Sequence, residues 1–313
     1  MSGKRYDVVC AGLQCIDIIT SPIPGAIFDR QITTIDSVQI GMGGDALNQA
    51  VTLSRLGSRT VLMGASGNDQ FADVLLGMLA KYDLTVINGK ADVSTAVSLV
   101  LLDGSGERHF VCQLGNNDAF CYAHMDEDVL RNTAFLSIGG CMYLPKLDGE
   151  GTIRALEVTK SSGGQTCVDF RIDPDNFDLN VAREIIRRAD YILPSEQEAY
   201  MLTGEQEDPR RMVECLRDMG ARNCVVKLGE QGCYVAAEGY EGMIPTYPCR
   251  CVDTTGAGDT FVGAFLHAKA RGWDIERCAR FANAAGSIAV EHPGANGAIQ
   301  SEKCVLDRMN GAR

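Results

Sequence analysis

The stretch Cys251-Val252-Asp253-Thr254-Thr255-Gly256-Ala257-Gly258-Asp259-Thr260 joins turn-forming residues to a helix. Apolar residues recur at helical spacing over residues 259–271, and the pattern ends at Gly272. A glycine-rich turn before a helix presents free N–H groups and the positive end of the helix dipole, which together suit an anion. Gly256 and Gly258 let the backbone approach that anion closely. We therefore predict an anion hole formed by Gly256, Ala257 and Gly258.

Asp259 places a carboxylate beside this predicted anion site. Such a pair suits phosphoryl transfer to a hydroxyl group, because the protein mainly positions the transferring group and stabilises its charge. Asp259 would accept the proton of the attacking hydroxyl. We expect the helix N-terminus to keep the pKa of Asp259 low, which makes it an ionised but weak base. The alternative is that Asp259 only caps the helix.

Two segments of the chain resemble the signatures of one enzyme family. Residues 253–261 resemble the C-terminal signature of the ribokinase-like (PfkB-type) carbohydrate kinases, and Gly41-Met42-Gly43-Gly44-Asp45-Ala46-Leu47-Asn48-Gln49-Ala50 resembles their N-terminal signature. The two occur in the family's order, and the resemblance covers essentially the whole chain of 313 residues. It implies a cytoplasmic phosphotransferase that uses ATP and Mg²⁺ to phosphorylate an alcohol group of a small sugar.

The composition of the chain argues against several other classes of protein. Apolar residues make up 45% of the chain and charged residues 22%, which is ordinary for a soluble globular protein. The formal net charge of −12 argues against nucleic acid and anionic membranes as main partners. No apolar run is long enough to be a signal peptide or a membrane span. The thirteen cysteines include no C-x-x-C, and we expect them to be reduced core residues of a cytosolic protein, as at Cys10, Cys112, Cys224 and Cys233.

Short apolar segments alternate with amphipathic helical segments along the chain. The predicted strands are residues 6–12, 60–64, 134–138, 166–170, 191–193 and 224–228. Repeated βα units of this kind predict an α/β fold with a doubly wound, mostly parallel sheet flanked by helices. The resemblance implies a single ribokinase-like domain over residues 1–313.

Two segments, at about residues 18–41 and 93–116, interrupt the βα pattern. Residues 31–40 are rich in β-branched side chains, and residues 95–102 and 108–114 flank a turn at 103–106, which predicts a hairpin. By analogy with the family, we expect these segments to form a small β-sheet lid over the sugar site. A homodimer formed through the lid would cover its apolar face. The alternative is a hairpin at the edge of the main sheet.

Candidate sugar-binding residues follow the first predicted strand and open the first helix. Asp17 comes after the strand, where open α/β sheets bind ligands, and an Asp here hydrogen-bonds sugar hydroxyls in the family. Gly43 and Gly44 allow a hydroxyl to approach backbone N–H groups, and the amide of Asn48 can donate and accept. Asp45 stands where ribokinase itself has Lys, which argues against ribose. Asp45 would bind a sugar hydroxyl or simply begin the helix.

The sequence is compatible with several kinds of acceptor molecule. Arg171 follows a strand and could hold the carboxylate of a sugar acid, as in a 2-keto-3-deoxy-type kinase, or pair with Asp173 or Asp175. A nucleoside kinase would need an apolar shelf, which Phe110 and residues 111–121 could supply. A non-catalytic sensor that binds sugar or nucleotide is the alternative from a different class.

The sequence Ser195-Glu196-Gln197-Glu198 follows a predicted strand and opens a helix. The family usually has Asn-x-x-Glu here, and the Glu orients the metal and phosphates. Glu198 would therefore bind Mg²⁺ through water, while Ser195 replaces the usual Asn at the nucleotide. The same four residues also form an ordinary helix-capping box.

The remaining nucleotide-site candidates lie in the C-terminal half. Lys227 could neutralise phosphate or be a solvated lysine at a strand end. Gly229 and Gly232 form a turn near the expected nucleotide, and Asn283 lies on a small-residue helix face that would pack under adenine.

The resemblance also implies a monovalent cation, K⁺, bound by Asp253 and the carbonyl group of Thr255. No Walker A motif, protein-kinase signature or metal-spaced histidine cluster occurs in the chain.

Overall fold

The computed structural model describes residues 3–23, 27–29, 31–104 and 108–311. Its strands belong to a large sheet and a small one. In chain order the strands are β1 (Tyr6–Gly12), β2 (Cys15–Thr20), β3 (Val38–Gly43), β4 (Thr60–Ser66), β5 (Thr85–Lys90), β6 (Val97–Leu102), β7 (Arg108–Gln113), β8 (Thr133–Cys141), β9 (Gln165–Phe170), β10 (Tyr191–Ile192), β11 (Asn223–Lys227), β12 (Cys233–Ala237) and β13 (Tyr240–Ile244).

The helices connect these strands and cover both faces of the large sheet. They are α1 (Asp45–Arg55), α2 (Gln70–Leu79), α3 (Asn116–Ala119), α4 (Glu127–Arg131), α5 (Glu150–Ser161), α6 (Leu179–Arg188), α7 (Glu196–Thr203), α8 (Pro209–Asp218), α9 (Ala257–Ala270), α10 (Ile275–Ala289) and α11 (Glu302–Met309).

The large sheet has the strand order β13-β12-β11-β10-β9-β8-β1-β4-β5. The seven strands from β11 to β5 in this order are parallel, because every connection that joins two of them along the chain contains at least one helix. At one edge β12 runs antiparallel to β11, since a short turn containing Gly229 and Gly232 reverses the chain, and β13 runs antiparallel to β12. The doubly wound, mostly parallel fold predicted from the sequence is confirmed.

Helix α9 is buried over most of its length. Every residue of the segment 260–269 is buried, and α9 packs between α1 and α10. The rings of Phe261 and Phe265 stack within α9, and Phe265 also meets Tyr191 of β10 edge-on. Because it is packed on all sides, α9 holds its N-terminus in a fixed position above the ends of the parallel strands.

The small sheet has the order β3-β2-β6-β7 and is separate from the large one. We call it the lid. Its strands β6 and β7 form the predicted hairpin, β2 pairs antiparallel with β3, and β2 and β6 are parallel. The alternative of an edge hairpin on the main sheet is therefore wrong.

The lid strands differ from the predicted ones at two points. The lid begins at Cys15, so Asp17 lies within strand β2 and not in a turn after β1. Residues 31–37 are not a strand, because the hydroxyl of Ser21 accepts the backbone N–H groups of Asp36 and Ser37 and pairing with β2 starts only afterwards. Residues 105 and 106 of the predicted turn, and residues 24–26 and 30 of the first predicted lid segment, lie outside the described residues.

All thirteen cysteines lie in the described part of the chain and are unpaired. Cys10, Cys224 and Cys233 are buried as expected. Cys112 is exposed, because β7 is an edge strand of the lid, and Cys249 and Cys251 are exposed in the segment before α9, so the prediction of core positions for these three was wrong. Among the described helices, none combines the length and apolar content needed to cross a bilayer.

Candidate active site

Helix α9 begins at Ala257, two residues before Asp259. Gly256 occupies the N-cap position with a left-handed φ of 70°, and a Cβ there would lie 2.7 Å from the carbonyl oxygen of Ala295. Only glycine adopts this φ readily and also avoids the clash that a Cβ would make with Ala295. Asp259 is thus the third residue of the helix, its side chain makes no capping bond, and the alternative of a simple cap is wrong.

Free N–H groups and a cation lie together at this helix end. Within the described residues, the N–H groups of Gly258 and Asp259 donate to no other group, as expected for a first helical turn. The ammonium group of Lys227 lies 3.6 Å from the point where a Cβ on Gly258 would stand. The helix N-terminus therefore offers backbone donors and a fixed positive charge to an anion.

Asp259 lies among other carboxylates. Its Oδ2 accepts a hydrogen bond of 2.8 Å from Nδ2 of Asn48. Three carboxylate oxygens lie within 4.8 Å of one another here, one each from Asp45, Asp169 and Asp259. Burial and the charges of Asp45 and Asp169 raise the pKa of Asp259 well above its usual range, and Asn48 and Lys227 offset only part of this effect. The expected low pKa was wrong, because burial and the neighbouring carboxylates outweigh the helix end.

Asp169 is a functional candidate that sequence reasoning missed. It is buried, and its carboxylate accepts hydrogen bonds from Nζ of Lys227 at 2.6 Å and from Nε2 of Gln49 at 2.9 Å. Lys227 is therefore paired inside the protein, and the alternative of a solvated lysine is wrong. The sequence did contain a signal for this role: Asp169 is an acidic residue in a mostly apolar strand. A charge buried in that way needs a partner, so a contact with a cation was to be expected.

Two cavities meet at Asp259. The lid cavity, of about 580 Å³, lies under the lid and is lined by Asp17, Gly43, Gly44 and Asn48 among others. The sheet cavity, of about 610 Å³, lies over the ends of β9 and β11 and is lined by predicted nucleotide-site residues. Six residues border both cavities, namely Asp45, Arg171, Cys251, Thr254, Gly256 and Asp259.

On the side of the lid cavity, Asp17 and the glycines fit closely. A Cβ on Gly43 would stand 2.3 Å from a carboxylate oxygen of Asp17, so glycine leaves room for that side chain. Burial raises the pKa of Asp17, and the guanidinium groups of Arg108 and Arg171 oppose this only in part. Gly44 caps α1 with a left-handed φ of 100°.

Asn48 and Arg171 both contact acidic partners at the cavity boundary. Asn48 donates to Asp259 and accepts a hydrogen bond of 3.0 Å from Asn296, so both ends of its amide are used. Nη1 of Arg171 lies 3.9 Å from a carboxylate oxygen of Asp45. No ion pair joins Arg171 to Asp173 or Asp175 within the described residues, so that alternative is wrong.

The predicted nucleotide-site residues all line the sheet cavity. Ser195 and Glu198 form the capping box that the sequence indicated, with Oε2 of Glu198 accepting the N–H of Ser195 at 2.7 Å. Gly232 is required by the hairpin, since a Cβ there would lie 2.1 Å from a backbone carbonyl, and Gly229 begins the same turn. Asn283 anchors α10 by donating to the carbonyl of Ile244.

The carboxylates around the boundary fit a divalent cation. Asp45, Asp169 and Asp259 form a cluster of three acidic groups, and Glu198 lines the same sheet cavity. Carboxylate oxygens together with water are the ligands that Mg²⁺ prefers.

The residues predicted to bind K⁺ do not fit a monovalent cation as the structure arranges them. Oδ1 of Asp253 accepts the N–H of Thr255, and its Oδ2 accepts the N–H of Gly294 and a guanidinium N–H of Arg108. Arg108 also donates to the hydroxyl of Thr255. The carboxylate thus already has a cationic partner.

Comparisons with known proteins agree on one family. The sequence profile of the pfkB family carbohydrate kinases matches residues 6–302. The chain is 31% identical to a ribokinase of Bacillus subtilis, covering 88% of this chain and 89% of that protein. It is 30% identical to a probable fructokinase-2 of Arabidopsis thaliana, covering 83% and 84%.

Solved structures share the fold over nearly the whole chain. A putative ribokinase II from E. coli has a TM-score of 0.85 in its apo form and 0.83 in complex with ATP and Mg²⁺, with 23% identity and coverage of 98% and 99% of the two chains. A ribokinase of Arabidopsis thaliana, complexed with ribose and ATP, has a TM-score of 0.83 at 24% identity, with coverage of 97% and 98%.

The raised pKa of Asp259 predicts that Asp259→Asn stabilises the fold at neutral pH. The folded protein resists ionisation of this carboxyl, so the stability gain should be near zero below about pH 4, where the unfolded carboxyl is also protonated, and should grow as pH rises to the folded pKa. We expect a gain on the order of 1 kcal/mol at pH 8, measured by calorimetry across pH.

Asp73→Asn is the matched control, because Asp73 also lies in the first turn of a helix but is exposed. This control should show no gain, since a helix N-terminus favours the carboxylate. A lower unfolding free energy for Asp259→Asn than for Asp73→Asn at pH 8 would contradict the electrostatic account.

Proposed function

The chain belongs to the PfkB family of carbohydrate kinases, and from this premise we propose that it transfers the γ-phosphoryl group of ATP to a hydroxyl group of a small neutral sugar. As a member of this family the chain is a phosphotransferase of the sugar kinase type. This argues against the alternative of a non-catalytic sensor. The observation that carries the proposal is the position of Asp259 and the α9 N-terminus at the boundary of two cavities.

ATP would occupy the sheet cavity with its phosphates directed toward α9. The N–H groups of Gly258 and Asp259 and the ammonium of Lys227 would contact the γ-phosphate. Lys227 remains charged, because the carboxylates of Asp169 and Glu198 outweigh the effect of burial and raise its pKa. Ser195, Gly229 and Gly232 would contact the rest of the nucleotide, and the helix face that contains Asn283 would lie beside adenine.

Mg²⁺, which neutralises phosphate charge when bound, would be held by Glu198 through water and by the carboxylates of Asp45 and Asp169. The protein's own residues then have to align the reacting groups.

Asp259 would act as the base in the transfer step. The acceptor hydroxyl oxygen forms a bond to the γ-phosphorus, while the bond from that phosphorus to the bridging oxygen breaks and its electron pair stays on ADP. The hydroxyl proton passes to the carboxylate of Asp259. A raised pKa makes this carboxylate a stronger base, and the bond from Asn48 fixes its orientation.

The charges of the lid cavity favour a neutral polyol as the acceptor. Four carboxylates line this cavity, at Asp17, Asp45, Asp253 and Asp259, against the guanidinium groups of Arg108 and Arg171. Carboxylates accept hydrogen bonds from hydroxyl groups, whereas they repel an acidic acceptor. We therefore place sugar hydroxyls against Asp17 and Asp45, with the backbone of Gly43 and Gly44 alongside.

A sugar acid is the second candidate acceptor, because Arg171 keeps donors available. Its side chain is 49% exposed, and its pairing with Asp45 is long at 3.9 Å. A nucleoside is the third, since Phe110 lines the lid cavity and is half-exposed.

Asp259→Asn should abolish catalysis while leaving ATP binding intact. Loss of a general base costs about 10²- to 10⁴-fold in kcat, whereas the backbone donors and Lys227 stay in place. A coupled assay of ADP release with the best acceptor, together with calorimetric titration of ATP, measures both effects. Turnover within a few-fold of the parent protein would contradict the role of Asp259, and Asp73→Asn serves again as the control.

Arg171→Leu should separate the acceptor classes. A panel of neutral sugars, sugar acids and nucleosides is tested with the parent protein and the variant. For a neutral sugar we expect kcat/KM to fall by less than about tenfold, whereas a sugar acid held by Arg171 would lose about 10²-fold or more. A parent protein that phosphorylates only sugar acids would contradict the neutral-sugar proposal.

We also propose that the lid forms a homodimer. Strand residues alternate between faces, so Ile18 points away from the face of Asp17, and its register partners Ile40 and Leu99 share its side. Val111, opposite Leu99, extends this row. Ile40, Leu99 and Val111 are 54%, 37% and 55% exposed, and a second lid would cover them.

Light scattering should therefore give a mass about twice the 33.7 kDa of one chain. Val111→Lys should shift the protein toward monomer, because it would bury a charge in the interface at the end of the row. Met243→Lys, at an exposed position on β13, should leave the mass unchanged. A monomeric parent protein would contradict the proposal.

A further inference from the structure

Arg108 connects the lid to the loop before α9. It is the first residue of β7, and its two terminal nitrogens donate to the carboxylate of Asp253 and to the hydroxyl of Thr255. The carboxylate is 4% exposed and the arginine side chain 21% exposed, so the pair is enclosed. A lid residue thus contacts the segment that leads directly to Gly256, the N-cap of α9.

Asp253 in turn joins two loops. Its carboxylate accepts the backbone N–H of Thr255 at 2.9 Å and that of Gly294, beyond α10, at 2.6 Å. Gly256 packs against Ala295 in the same loop. The shape of the α9 N-terminus therefore depends on the charge balance at Asp253.

Arg108 fills the position at which a cation would neutralise this carboxylate. Each oxygen of Asp253 already has a donor, and the hydroxyl of Thr255 accepts from the same guanidinium. A second cation at this point would be repelled by the guanidinium at short range. The planar, permanently charged guanidinium group also fixes geometry, because it donates to two acceptors at once.

We propose that Arg108 is a positioning residue that replaces a monovalent cation at the Asp253 loop, so that alignment of the anion hole depends on the seated lid and not on K⁺. This proposal rests on the proposed kinase function only for its kinetic consequence. The lid as it stands in the structure already places Arg108 at Asp253, and this contact would hold the loop that leads to the site at which phosphate binds.

The structural half of the proposal is tested by thermal melting in KCl and in choline chloride at equal ionic strength. The parent protein should melt at the same temperature in both salts, because its cation position is filled. Arg108→Ala should melt at a higher temperature in KCl, since K⁺ can then bind the exposed carboxylate and stabilise the folded state. His109→Ala, which changes the next residue of β7 and its contact with Asp103, should behave like the parent protein.

The kinetic half uses the same salts in the phosphorylation assay. We expect the parent protein to change less than about twofold between salts, and Arg108→Ala to lose about tenfold or more of kcat in choline chloride and to recover several-fold in KCl. Arg108→Lys should keep more activity than Arg108→Ala and respond less to K⁺, because it retains the charge.

Two outcomes would overturn the proposal. One is a parent protein whose melting temperature rises in KCl as much as that of Arg108→Ala, and the other is an Arg108→Ala variant that K⁺ does not stabilise. Absence of turnover with every acceptor would refute the proposed function instead, and the melting comparison would still decide the role of Arg108.

Discussion

Three carboxylates, those of Asp45, Asp169 and Asp259, converge at the N-terminus of a buried helix, and the protein has to hold them together against their mutual repulsion. Several contacts offset this repulsion in part. Lys227 and Gln49 donate to Asp169, Asn48 donates to Asp259, and the guanidinium of Arg171 lies near Asp45. The rest persists as a raised pKa at Asp259. Such a strained charge arrangement is typical of a site built for cations and phosphate, which lower its energy when they bind.

The surrounding fold keeps this arrangement rigid and divides the space around it. Helix α9 is packed on all sides, and its first turn is fixed by Gly256 against the loop at Ala295. The lid closes one cavity and the ends of β9 and β11 floor the other, so two ligands could approach Asp259 from different directions. Excluding water from the space between them would protect a reactive phosphoryl group from hydrolysis.

Sequence reasoning succeeded where the signal was local. The glycine turn before α9, the capping box at Ser195 and the βα alternation are all encoded within short stretches, and the structure has them. It failed where partners are distant in the chain. Nothing near Asp259 in sequence indicates Asp45 or Asp169, so the predicted pKa had the wrong direction. Likewise, no spacing links Arg108 to Asp253, which lie 145 residues apart.

The proposed mechanism requires the α9 N-terminus to hold the migrating phosphoryl group while Asp259 faces the acceptor hydroxyl. A crystal structure with an unreactive ATP analogue, Mg²⁺ and the best acceptor tests it most directly. We expect γ-phosphate oxygens at hydrogen-bond distance from the N–H groups of Gly258 and Asp259, with one acceptor hydroxyl about 3 Å from the carboxylate of Asp259. A γ-phosphate bound elsewhere, or an acceptor without a hydroxyl near that carboxylate, would contradict it.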